Sequence, residues 1–362
     1  MHLRIGHYDH PGQQRELNED SYLILTSPAL SSDIEAVLVV ADGMGGHQAG
    51  EIASQSLVEL LEGVFRSGDY RSMVGYNDQH EDYYVVVLKE VLEWANERLY
   101  QLATSRAELR GMGTTVVAVL IAGGKCFWGN VGDSRAYLLR RGQLRQFTVD
   151  HTWVNEQVSA GLLSWEEASV HPKRNVLTRA LGGDSLVRVE RDMFVLEVGD
   201  RLLLCSDGLS GVVEGAEIQA ILANERDPQQ ACNRLGTLAN QRGGPDNITI
   251  LIADIGKEGL SNSLPDGRVV GPVLVHSKSS ADEPAHDILV SPTPGVTSGG
   301  RWHRLQKYLV LSGVLLLGAV LSSVAMLFLI AARPGNLLAL MAGAVVIFSW
   351  GALVGRLNNH SD

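Results

Sequence analysis

Five short stretches of this chain place an acidic residue beside a turn or at the end of an apolar run: "RELNED" (15–20), "ADGMGG" (41–46), "NVGDSR" (130–135), "CSDGLSG" (205–211) and "GGPDNIT" (243–249). A lone aspartate before a glycine reads as a helix cap or a turn residue. Five such sites exceed what capping and turns supply. Carboxylates and backbone carbonyls, with no histidine or cysteine at these positions, are the ligands that hard cations such as Mg²⁺ and Mn²⁺ select. On this reading Asp42 reaches into a shared metal site, and Gly43 offers its carbonyl as a second ligand.

A phosphate cradle built from backbone N–H groups is the competing chemistry for a glycine-rich turn after a strand. The spacing rejects it. A dinucleotide fingerprint counted from Gly43 and Gly45 needs a third glycine where Gln48 stands, and the Gly-Lys-Ser/Thr ending of a P-loop is missing from this turn. The formal charge of −11 also argues against a nucleic-acid binder, whose footprint is a basic face.

These motifs need elements to hold them. "EAVLVVAD", "TTVVAVLIA", "KCFWGNVGD", "RAYLLRRGQLRQFT", "DRLLLCSD" and "NITILIAD" read as strands separated by turn signals. Leu57, Leu60, Leu61, Val64 and Phe65 recur at helical spacing, and so do Leu88, Val91, Leu92, Ala95, Leu99 and Leu102. Strands in hairpin order with few helices between them favour antiparallel sheets covered by helices. With 362 residues, 45% of them hydrophobic, the chain can bury a substantial core.

Together with "GMGTT" (111–115), "FTVDH" (147–151) and "VLTRALG" (176–182), the five acidic motifs, in this order, resemble the metal-dependent protein phosphatases of the PPM or PP2C type, which act on phosphoserine and phosphothreonine. The resemblance covers about residues 3–254. It implies an α+β fold, an αββα sandwich of two antiparallel sheets flanked by helices, with the site at one end. By the same resemblance Asp42 bridges two ions, Asp207 and Asp246 complete one, and the Gly43 carbonyl helps to hold the other. Glu19 and Asp20 position the second ion directly or through its waters. Asp133, with Asp207, holds the third ion that bacterial members often carry. Arg15 grips the substrate phosphate, for which a planar, always charged guanidinium is suited.

The implied cofactor is Mn²⁺ or Mg²⁺, two catalytic ions and a third. Two divalent ions about 3.5–4 Å apart lower the pKa of a bridging water, whose hydroxide attacks phosphorus in line, so no covalent nucleophile is needed. Some eukaryotic members carry a histidine directly after the Asp-Gly pair; here that position is Met44, and His47 comes three residues later, as a structural residue or one that supports the metal ligands from behind. Residues 152–183 form a flap beside the site, with Ser164 and Glu167 as a capping box opening a short helix. Arg179 within it faces substrate or is structural. The implied partners are phosphorylated proteins and a cognate kinase with its substrates. Rival readings are a phosphatase dedicated to one sigma-factor pathway and a catalytically inactive, metal-binding signalling scaffold of the same fold.

The remaining chain lies outside the resemblance. Expected boundaries are a phosphatase domain over 1–256, a flexible Ser/Pro/Gly-rich linker over 257–307, a membrane hairpin over 308–355 and a short tail over 356–362. The two spans, 309–332 and 337–354, are 24 and 18 uncharged residues and reach about 36 and 27 Å, against a hydrocarbon core of about 30 Å. Arg301, Arg304 and Lys307 before the first span and Arg356 after the second outnumber Arg333 in the turn, which puts both termini in the cytoplasm. Neither span carries an intramembrane charge that would mark a transport pathway. The start "MHLRIGHYDHPGQQ" lacks a signal-peptide build. Cys126, Cys205 and Cys232 show no CxxC spacing, and Cys205 reads as a buried packing residue in a reducing compartment.

Overall fold

A computed structural model describes residues 2–30, 34–46, 48–74 and 82–256. Two antiparallel sheets form its centre. One runs in the order β1 (His2–His10), β11 (Ile248–Gly256), β10 (Arg201–Cys205), β7 (Arg135–Arg140) and β8 (Gln143–Gln146). The other runs β2 (Asp20–Thr26), β3 (Ile34–Met44), β5 (Val116–Ala122), β6 (Lys125–Val131) and β9 (Glu190–Val195), with the two-residue β4 (Gly113–Thr114) paired to the end of β3.

Three apolar layers hold these sheets. Leu38, Val40, Val119 and Ile121 face Leu138, Leu202, Leu204 and Leu251 between the sheets. The opposite faces of the same strands bury Val37, Val39, Ala118 and Leu120 under α1 (Ala49–Ser67) and α3 (Tyr83–Ser105). On the far side Leu203, Ile250 and Ile252 pack under α7 (Gly215–Asn224) and α8 (Pro228–Gln241). The order helix, sheet, sheet, helix is therefore the expected αββα arrangement. Strands buried on both faces lose the alternation of a half-exposed strand, which is why "EAVLVVAD" reads as one apolar run.

The helices expected from spacing are present, and Leu57, Leu61, Val64, Phe65, Leu88, Val91, Leu92, Ala95 and Leu99 are all buried. Strand β3 does not stop at Asp42. It continues through Gly43 and Met44, because β4 takes over as its partner where β5 ends. The flap contains α4 (Trp153–Ser159) and α5 (Trp165–Ser169), and the Ser164/Glu167 capping box is formed. Two short helices, α2 (Tyr70–Met73) and α6 (Asp207–Ser210), complete the set. No helix among the described residues is long and apolar enough to cross a membrane. The expected linker and both expected spans lie outside the described residues, as does His47.

Candidate active site and metal centre

The pairing of β2 with β3 sets Asp20 directly opposite Asp42. Like charges in that register repel, so something outside ordinary sheet energetics must favour the pair. The backbone of Asp42 is saturated. Its N–H donates to Thr115 Oγ1 at 3.0 Å, and its carbonyl accepts from Thr115 N at 2.8 Å and Thr114 Oγ1 at 3.0 Å. Thr115 Oγ1 also lies 2.7 Å from Ser134 Oγ, which ties the β3 end to the turn carrying Asp133. The "GMGTT" segment is thus the bracket of Asp42.

Packing gives a reason for glycine at position 43 that the sequence does not show. A β-carbon on Gly43 would fall inside the Gly50 carbonyl and lie 2.6 Å from the Glu19 carbonyl oxygen, so the start of α1 and the Glu19 segment demand it. The Gly43 N–H donates to that Glu19 oxygen at 3.0 Å. Gly208, after Asp207, is required for the same kind of reason, because a β-carbon there would overlap the Asn247 carbonyl.

Asp207 opens α6, where its carboxyl lies in the field of those of Asp42 and Asp246. Asp246 sits in the turn before β11, where its Oδ2 accepts from Arg15 Nη2 at 2.8 Å. Asn247 draws the ends together: its Oδ1 accepts from Glu19 N at 2.8 Å, and its Nδ2 donates to the carbonyls of Pro11 and Leu17, both at 2.9 Å. The structure thereby brings Arg15, Glu19, Asp20, Asp42, Gly43, Asp133, Asp207 and Asp246 to one end of the sandwich. Thr115, Ser206 and Asn247 are supporting residues that the sequence reading passed over, although each stands inside or beside a quoted motif.

Crowding shows in the acidities. Burial, then the charges of Asp20, Asp207, Asp133 and Asp246, push Asp42 well above the usual carboxylate range. Burial, with Asp9 and Asp207 adding to it, pushes Asp20 up to about 8. Asp133 rises to about 7 through burial and the nearby Asp207 and Asp150. Asp207 rises to about 6 through burial and Asp246, partly offset by its neighbour Asp42 and by the guanidiniums of Arg135 and Arg15. Glu19 is raised mainly by burial and is opposed by Arg15.

A cluster so costly without a counter-charge invites a cation. Glu19 Oε1 and Asp20 Oδ1 are buried without a hydrogen-bond partner, and the donor set is all oxygen. Those features fit a hard divalent ion. Among the described residues no three acidic, imidazole or thiolate groups close round one point as a finished cage. Waters and backbone carbonyls would therefore complete the ligand shell, as Mg²⁺-type sites commonly require.

Arg179 and Met44 both have neighbours in the fold. Arg179 Nη1 lies 3.2 Å from His151 Nε2 in the flap, and the Met44 side chain lies over Gly113. Asn96 on α3 fixes the end of the flap, accepting from Gly182 N at 2.8 Å and donating to the Asp184 carbonyl at 3.0 Å. Cys205 is fully buried, as expected.

A helix, sheet, sheet, helix sandwich with antiparallel sheets and an acidic centre at one end defines the PPM phosphatase class of fold. The sequence matches Protein phosphatase 2C over residues 12–242. The serine/threonine phosphatase stp of Listeria innocua is 37% identical over 243 residues, which cover 67% of this chain and 92% of that protein. The Mycobacterium tuberculosis serine/threonine phosphatase PstP/Ppp superposes with a TM-score of 0.60 at 36% identity, over 70% of this chain and 99% of that one. A structure of the PstP catalytic domain in complex with two manganese ions gives 0.58 at 34% identity, over 70% and 99%. The chain belongs to the protein phosphatase 2C family and is a serine/threonine protein phosphatase.

Proposed function

We propose that this phosphatase hydrolyses phosphoserine and phosphothreonine in proteins with divalent ions, Mn²⁺ or Mg²⁺, held by Asp42, the Gly43 carbonyl, Asp133, Asp207 and Asp246, with Glu19 and Asp20 acting directly or through water. The observation that carries this reading is Asp42 itself, opposite Asp20 and buried in the field of Asp207, Asp133 and Asp246. When bound, two such ions supply a water of lowered pKa and neutralise charge on the phosphoryl group. Asp42 and Asp207 are the shared ligands, and Asp133 with Asp207 serves a third ion. Arg15, half-exposed beside Asp246, turns its free N–H groups to the substrate phosphate and orients it.

Expected behaviour is phosphopeptide hydrolysis that stops on chelation, returns with Mn²⁺, and falls by at least about a hundredfold in Asp42→Asn and Asp207→Asn, as loss of a ligand to the activating ion requires. Full turnover after exhaustive chelation would sink the reading. No turnover with any divalent ion would favour the inactive scaffold.

The natural partners on this reading are phosphorylated proteins and a kinase that phosphorylates them. The apolar stretches 309–332 and 337–354, with basic residues flanking them, support a membrane anchor that leaves the catalytic domain and both termini in the cytoplasm. The chain should then stay with membranes through salt and carbonate washes, because apolar spans anchor by burial. Release by carbonate, or cleavage of a C-terminal tag from outside intact cells, would contradict the anchor.

A further inference from the structure

Asp20 is the most enclosed carboxylate of the centre, and its surroundings are arranged as a closed ring of hydrogen bonds. Asn18 Nδ2 donates to Asp9 Oδ1 at 2.8 Å, and the Asp20 N–H donates to Asn18 Oδ1 at 3.2 Å. Ser206 Oγ donates to Asp20 Oδ2 at 2.7 Å. The Thr249 N–H donates back to Ser206 Oγ at 3.0 Å, and Thr249 Oγ1 donates to Asp9 Oδ1 at 3.1 Å, which closes the ring. Ser206 and Thr249 are wholly buried, and Asp20 nearly so.

Within this ring the Ser206 hydroxyl donates to the Asp20 carboxylate, and the Thr249 hydroxyl lies near the same group. Ser206 has the extended backbone of a helix N-cap before α6, φ −74° and ψ 172°, yet its hydroxyl caps nothing. A serine in that geometry ordinarily accepts from the first-turn N–H groups. Here the hydroxyl crosses from one sheet to the other, to a carboxylate 186 residues away in sequence. Its single proton occupies Oδ2 and leaves Asp20 Oδ1, which has no partner, as the oxygen free to bind a cation. The next residue in the chain is Asp207, at the start of α6.

We propose that Ser206 is a positioning residue for the metal centre: its hydroxyl fixes the Asp20 carboxylate so that Oδ1 is presented to a divalent cation, at a set distance from Asp207. The proposal rests on the reading of Asp20 as a ligand, direct or through water. Outer partners that orient ligating carboxylates typically change metal affinity by 10–100-fold when removed.

The test uses the 362-residue chain, stripped with chelator and titrated with MnCl₂ by calorimetry, beside thermal melts of the stripped forms. Ser206→Ala should weaken Mn²⁺ binding about tenfold. Ser206→Gly, which also lacks the hydroxyl but suits a helix start, carries the same expectation and serves if the alanine form does not fold. In an Asp20→Asn background the loss on removing the hydroxyl should shrink to less than about twofold, since the group it orients is gone. A general structural role would lower the melting point without that dependence. Unchanged Mn²⁺ binding in both Ser206 variants, or the same loss with and without Asp20→Asn, would overturn the proposal. If Asp20→Asn alone left the isotherm unaltered, the ligand reading itself would fail.

Discussion

At Asp42 every backbone polar group is satisfied by Thr114 and Thr115 while the side chain is pressed among four other aspartates. A fold that holds such a group without its ions stores repulsion, and replacing the acid should relieve it. Asp42→Asn is therefore expected to abolish activity yet raise the melting point of the chelated protein by about 2–4 °C, the shift that roughly 1 kcal/mol produces in a domain of this size. The sign with pH follows from the raised acidities of the cluster. A carboxylate whose folded pKa lies above its unfolded value contributes most below the unfolded value near 3.8, and that contribution is lost as pH rises through about 6, 7 and 8 for Asp207, Asp133 and Asp20. The gain from Asp42→Asn should accordingly be larger at pH 8 than at pH 5, as read by thermal melts in chelator. A lower melting point at pH 8, or a gain confined to pH 5, would contradict the crowding. The acidic residues were legible in the sequence because carboxylates at turns announce themselves. Thr115, Ser206 and Asn247 were not, because a neutral side chain shows its use only when its partner, 73, 186 or 228 residues away, is brought beside it.

Among the elements, α1 contributes more than its apolar face. Its second residue, Gly50, stands where a β-carbon would lie 2.5 Å from Glu19 Oε1 and 3.0 Å from the Gly43 carbonyl carbon. Helix propensity alone makes Gly→Ala stabilising by about 1 kcal/mol. The contact makes the opposite demand. Gly50→Ala should displace the Glu19 carboxylate and weaken Mn²⁺ binding about tenfold, a loss of the order seen when groups supporting a metal site are disturbed. Calorimetry on the purified variant decides between the two effects, and a more stable protein with unchanged Mn²⁺ affinity would show that Glu19 plays no part. The helices themselves were legible from leucine spacing in α1 and α3. Less legible was the end of β3, because its extension to Met44 depends on β4, two residues too short to register as a strand in "GMGTT". The face assignment within "EAVLVVAD" was hidden as well, since both faces are buried.

For the molecule as a whole, two sheets pressed face to face bring ends of β2, β3, β6, β7, β10 and β11 together, and the acidic residues sit at those ends or in the adjoining turns. The order of motifs along the chain was sufficient to anticipate this architecture through a family resemblance, and the match over residues 12–242 bears out that part. A net charge of −11 is no obstacle to binding phosphate if ions at the centre reverse the local field. That reversal is the central claim, and anomalous X-ray scattering from crystals of the Mn²⁺-loaded protein tests it most directly. Strong manganese peaks at ligand distance from the Asp42 carboxylate, with one shared by Asp207, are the expected result. Peaks confined to other parts of the surface, with the Asp42 and Asp207 oxygens untouched, would contradict it.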